Sequence, residues 1–188
     1  MKILVIVTHP KMKTSKVNKH LMIESGKLDQ IDVLDLYAEY PNCDIDVKKE
    51  QERVLRYDRI VLQFPFYWYS SPPLLKAWFD RILTPGYAYG RNGSKLEGIE
   101  VVVVTTVGSK EHAYRPDGYQ KYSVAALLRP MQATCDLVKL KYLEPFMIYN
   151  ADRLEESELM SETKNYLAHI QDKNLRTFGM YEGDYQIE

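Results

Sequence analysis

The chain has 188 residues, a formal net charge of -1, 45% hydrophobic and 27% charged residues. That balance suits one globular domain with enough buried surface to fold without staples. Basic residues alternate with acids, so no clustered basic face exists for a nucleic acid. Cys43 and Cys135 are the only cysteines; they make neither a disulfide framework nor a dithiol or metal motif, and a reducing cytoplasm is the expected setting. No stretch approaches the roughly 18 apolar residues of a membrane span.

In chain order, Lys2 to Thr8 is a β-branched run, as expected of a strand covered on both faces. It is too short for a signal segment and stops at Thr8-His9-Pro10. Ser15 to Lys27 has helical spacing of apolar residues. Ile31 to Leu36 is a second strand, Val47 to Arg56 a charged helix, and Arg59 to Phe64 a third strand ending at Pro65. Leu74 to Leu83 is a helix, with Pro72 and Pro73 where a helix start tolerates them. Ile99 to Thr106 holds four consecutive valines and is a fourth strand. Ser123 to Met131 is helical, with Pro130 expected to bend or end it. The second half of Leu137 to Ile148 is a fifth strand, and Glu155 to Asp172 is the last helix. Thr84 to Gly98 is a long Gly/Tyr-rich connection, expected to be functional or interfacial. The tail after Lys173 is expected to be mobile or to pack on a partner.

Strands separated by helices predict an α/β fold. It has an open five-stranded parallel sheet in the flavodoxin-like order 2-1-3-4-5, with helices on both faces, as one domain over residues 1–188. In such a sheet the ligand lies beyond the carboxyl ends of the strands. That rule selects three loops: Thr8 to Asn18, Pro65 to Pro73 and Thr105 to Tyr119.

The first loop runs into a helix start, whose free amides and dipole suit an anion. Ser15 is the expected N-cap. Thr14 and Ser15 offer hydroxyls, His9 a ring N–H, and Lys11 or Lys13 charge. The loop matches neither GxxxxGK[ST] nor GxGxxG, so neither a P-loop nor a standard dinucleotide site is implied. In the second loop, Phe64-Pro65-Phe66-Tyr67-Trp68-Tyr69 places five aromatics in six positions. That much apolar surface at a strand end suits a planar ring ligand, with main-chain groups reading its edge; covering the sheet end is the competing role. Trp78 belongs to the core. In the third loop, Thr105-Thr106-Val107-Gly108 ends the fourth strand, and its amides could face an electron-rich ligand edge.

These pieces resemble a known family. His9-Pro10, Ser15-x-x-Asn18, Pro41-x-x-Asp44-x-Asp46 and Phe64-Pro65-x-x-Trp68-Tyr69 are followed by Gly86-x-Ala88-Tyr89-Gly90. Thr105-Thr106-x-Gly108, Ala113-Tyr114, Gly118 and Leu128-Arg129-Pro130 then complete the series. In this order and spacing the chain resembles the flavodoxin-like NAD(P)H:quinone oxidoreductases. The closer match is to the bacterial group that includes the potassium-efflux ancillary oxidoreductase and the modulator of drug activity proteins.

The resemblance implies FMN, rather than FAD, as bound cofactor and NAD(P)H as co-substrate. It further implies two-electron ping-pong hydride transfer to a quinone or another aromatic acceptor, in a cytoplasmic homodimer with Thr84 to Gly98 walling the pocket. A regulatory role on a potassium-efflux membrane transporter is the alternative. A one-electron carrier would be strongly acidic, which a net charge of -1 disfavours.

The cofactor-binding residues implied are His9, Ser15, Val17, Asn18, Pro65, Phe66, Tyr67, Trp68, Tyr69, Thr105, Thr106, Val107, Gly108 and Tyr114. Tyr114 and Tyr119 are the catalytic candidates, and His112 is a weaker source of a proton. The competing and more common role for each tyrosine is pocket wall. Val107 stands where the family usually has Gly. If that position needs positive φ, a β-branched residue is costly.

Overall fold

The computed structural model describes residues 1–179. Five strands form a parallel sheet in the order β2-β1-β3-β4-β5, namely Ile31–Asp35, Ile3–Val7, Arg59–Pro65, Glu100–Thr106 and Lys141–Tyr142. A further strand, β6 (Phe146–Ile148), continues along the same edge of β4 beyond Pro145. The expected topology therefore stands. The fifth strand is split because Pro145 cannot donate to the ladder.

The two central strands, β1 and β3, are buried along their whole length. Apolar side chains alternate between two cores, one on each side of the sheet. Helices α1 (Val17–Ser25) and α7 (Glu156–Gln171) cover one face through Leu21, Leu159, Tyr166 and Ile170. Helices α3 (Val47–Val54), α4 (Pro73–Ile82) and α6 (Arg129–Leu137) cover the other, together with the short α2 (Leu36–Glu39) and α5 (Val124–Leu127).

Two elements differ from expectation. Helix α2 was not anticipated; Asp35 caps it by accepting from the N–H groups of Tyr37 and Ala38. Pro130 does not end a helix but opens α6, where its missing N–H costs nothing. The chain after α7 is also placed: Thr177 bridges Leu143, and Phe178 N–H bonds to the Tyr142 carbonyl at 2.9 Å, covering the edge beside β5. The rest of the expected tail lies outside the described residues. Among them, no helix is long and apolar enough to cross a membrane.

Candidate functional site

Parallel register brings the carboxyl ends of β1, β3 and β4 level: Val7 faces Gln63, and Pro65 faces Thr106. The turns leaving these strands enclose a cleft of about 460 Å³. His9, Ser15, Val17 and Asn18 line it from the first turn. Pro65, Phe66 and Tyr67 line it from the second, and Thr106 and Gly108 from the third. Nine of the expected cofactor residues thus share one space.

The helix start differs in detail from expectation. A single turn of 3-10 helix (Met12–Thr14) precedes α1, and Lys16, not Ser15, is the N-cap; no side chain caps the helix. The amides of its first turn therefore lack side-chain acceptors, with the positive end of the dipole behind them. Lys11 and Lys16 stand beside the cleft. Lys16 Nζ donates to the Leu154 carbonyl at 2.6 Å.

His9 is nearly buried. Burial lowers its pKa below the ordinary histidine value, against the opposing charge of Asp35. Its Nδ1 accepts from Lys11 N–H at 3.1 Å, so the neutral ring carries its proton on Nε2.

The second turn is a tight hairpin. Tyr67 and Ser70 exchange N–H···O bonds of 2.9 and 3.0 Å, and Trp68 and Tyr69 between them have φ of 48° and 65°. Such a turn usually takes Asn-Gly. Here two aromatics hold a left-handed conformation that costs each of order 1 kcal/mol or more. Trp68 is 92% exposed, and Tyr69 is also solvent-facing, so neither lines the cleft through its ring. Their amides, with no acceptor among the described residues, are what this turn offers a ligand edge.

The remaining expected residues separate by depth. Thr105 is buried, its hydroxyl donating to the Phe64 carbonyl at 3.1 Å. Val107 is fully buried beneath the cleft; its N–H bonds to the Ile148 carbonyl at 2.8 Å, and its own carbonyl accepts from Ala151 at 3.0 Å. This geometry leaves Val107 no backbone group for a ligand. It is also absent from the positive-φ residues, so the anticipated strain does not arise.

Tyr114 is buried behind Phe66, ring centroids 6.2 Å apart, and burial raises its pKa. Tyr119 is 70% exposed and does not line the cleft, its hydroxyl 2.5 Å from Ser109 Oγ. His112 is exposed in the 3-10 turn Glu111–Ala113. The Thr84 to Gly98 segment sends Tyr87 into the core and Tyr89 to a separate apolar groove beside Ser70 and Ser71.

A fourth turn was not anticipated. Ala151 and Asp152, after β6, close the cleft opposite the aromatic hairpin. Asn150 turns the chain with φ 55°, and its N–H bonds to the Ser109 carbonyl at 3.0 Å. A Cβ at Gly108 would lie 3.4 Å from Asp152 Oδ2, an ordinary contact with the end of a side chain. The strand-end rule applied to Ile148 would have selected this turn, and an Asn tolerant of the left-handed region was the local signal.

The site is a strand-end cleft of a doubly wound parallel sheet with an uncapped helix start beside it, an arrangement that suits an anionic group. The chain belongs to the flavodoxin-like fold family, whose model matches residues 1–170. It is 44% identical over 170 residues to the uncharacterized NAD(P)H oxidoreductase YdeQ of Bacillus subtilis, covering 90% of this chain and 86% of that one. It is 41% identical to the glutathione-regulated potassium-efflux system ancillary protein KefG of Cronobacter sakazakii, with 88% and 90% covered. Among solved structures, general stress protein 14 of Treponema denticola in complex with FMN superposes with a TM-score of 0.82 at 38% identity, covering 89% and 97%. An NADPH-quinone reductase from P. pentosaceus gives 0.81 at 28% identity, covering 92% and 99%.

Proposed function

We propose that the chain is an FMN-binding oxidoreductase that takes hydride from NAD(P)H and delivers it to quinones or similar flat acceptors. The observation that carries this reading is the convergence of three strand-end turns on one cleft, with an uncapped helix start among them. The NAD(P)H oxidoreductase and quinone reductase relatives and the FMN complex of a 38% identical structure agree with it. FMN, when bound, supplies the reversible hydride chemistry; the protein supplies position and electrostatics.

In this reading the first turn of α1, Ser15 and the Nε2–H of His9 hold the phosphate. The hairpin amides of Trp68 and Tyr69 and the hydroxyl of Thr106 address the ring. Phe66 and Tyr67 wall it. Tyr114, whose pKa burial raises further above neutral, would be a hydrogen-bond donor rather than a fast acid. Tyr119, exposed to solvent, would be the group to meet an incoming acceptor. NAD(P)H and acceptor would use the same mouth in turn, giving ping-pong kinetics.

FMN is preferred to FAD because a 38% identical structure is an FMN complex. We also take the chain to be a homodimer. The groove of about 380 Å³ lined by Phe79, Leu83, Tyr89 and Met131 lies next to the hairpin and would be covered by a second copy. Similarity to KefG favours one further reading, a regulatory complex with a potassium-efflux transporter; co-purification with such a transporter would separate it from the enzyme reading.

The direct test is the absorption spectrum of the purified chain, before and after adding FMN. A flavin band and FMN-dependent NAD(P)H oxidation with a quinone are expected. A chain that stays colourless with excess FMN removes the proposal. Asn18→Ala should weaken FMN binding about tenfold, which is about 1.4 kcal/mol; unchanged occupancy would remove Asn18 from the site.

A further inference from the structure

Beneath the cleft, four buried side chains form a hydrogen-bonded line from α7 to the end of β4. Tyr166 Oη donates to Gln63 Oε1 at 3.1 Å. Gln63 Nε2 donates to the Asn18 carbonyl at 3.0 Å and to Asn18 Oδ1 at 3.3 Å. Asn18 Nδ2 donates to Thr106 Oγ1 at 2.8 Å. All four residues are at least nine-tenths buried, and Thr106 and Asn18 line the cleft.

The direction of this line is fixed at one point. A backbone carbonyl only accepts, so the Gln63 atom facing the Asn18 carbonyl is the amide nitrogen. Gln63 Oε1 is then left for the Tyr166 hydroxyl, which must donate. The same nitrogen faces Asn18 Oδ1, which turns the Asn18 amide so that its NH₂ points to Thr106. Thr106 Oγ1 therefore accepts from inside, and its proton is free to go elsewhere. No acceptor for that proton is found among the described residues, and the cleft is the open direction.

We propose that Gln63 is a positioning residue: it sets the polarity of the line so that Thr106 presents its hydroxyl as a donor to the bound ligand. The proposal rests on the FMN reading above and adds a tuning role to it. A donor aimed at the ring favours the state in which negative charge has grown on it, so reduced FMN is held more tightly relative to oxidised FMN. Without Gln63, the Asn18 amide can turn over, Thr106 can donate inward, and its lone pairs face the cleft.

The test compares wild type, Gln63→Met, Thr106→Val and Thr106→Ser, each loaded with FMN. The readouts are the dissociation constant for oxidised FMN and the two-electron midpoint potential. Gln63→Met and Thr106→Val should both weaken reduced FMN relative to oxidised FMN by about tenfold, about 30 mV more negative for a two-electron couple. Thr106→Ser, which keeps the hydroxyl, should restore the wild-type potential. Thr106→Val carries the test alone if Gln63→Met does not fold. A wild-type potential in Thr106→Val, or in a folded Gln63→Met, overturns the tuning role while leaving FMN binding intact. A wild-type chain that takes up no FMN overturns both proposals.

Discussion

The two faces of the sheet each bury a polar cluster, and the clusters end differently. On the α3/α4 side, fully buried Glu50 accepts from Tyr40 Oη at 2.8 Å and Trp78 Nε1 at 3.1 Å, and pairs with Arg53 Nε at 3.0 Å. Every partner of that carboxylate is internal. On the α1/α7 side, the line through Tyr166, Gln63 and Asn18 ends at Thr106, on the cleft. A polar cluster that closes on itself contributes order and stability. One that ends at a cavity leaves a group for a ligand. The distinction lies in where the last proton points.

The largest expected effect breaks the closed cluster. Glu50→Ala leaves a buried phenol and an indole N–H without their acceptor, while Arg53 keeps Glu39, and should cost about 2–4 kcal/mol. Urea unfolding measures it, and FMN affinity of the folded fraction should match wild type. A loss of FMN affinity that tracks the loss of stability would mean that the two faces are coupled and that the contrast between them is false.

How far the sequence reached follows the same division. Strand order was legible because β-branched runs, helical spacing and strand-end loops are local signals. So were nine of the residues that line the cleft, which follow once the parallel strands are aligned; the turn at Ala151 and Asp152 was not. The Gln63 line was not legible: Gln63 sits in a run that reads simply as a buried strand, and its partners are 45 and 103 residues away. The role of Trp68 and Tyr69 was half legible. Their aromatic character suggested stacking walls, whereas the positive φ values turn the rings out and leave the amides. Ser15 was misassigned as N-cap because a 3-10 turn shifts the cap by one residue, to Lys16.

Val107 provides the next, smaller effect and sharpens the same boundary. Its side chain lies in the α3/α4-side core, while its backbone ties β4 to the turn after β6. Val107→Gly should cost about 2–3 kcal/mol, from lost apolar burial and added chain entropy. It should bring no gain in FMN affinity, since the position needs no glycine conformation. A variant that bound FMN several-fold more tightly would show that the family's glycine is required for the ligand and that Val107 blocks it.

The smallest effect belongs to His9, where the two roles meet in one residue. Burial holds its pKa below the ordinary value near 6.5, so between that value and the lower folded one the unfolded chain binds more protons. The stability His9 supports is therefore complete above about pH 6.5 and is lost as pH falls through the folded pKa. Urea midpoints of the FMN-free chain from pH 7.5 to 5 should decline more steeply in wild type than in His9→Gln. Affinity for a phosphate-bearing ligand should move the other way, because the imidazolium that costs the empty cleft stability adds a positive charge beside the helix start. Equal slopes in wild type and His9→Gln would place His9 outside the buried edge of the cleft. A phosphate affinity that fell with pH in parallel with stability would show that the anion binds away from it.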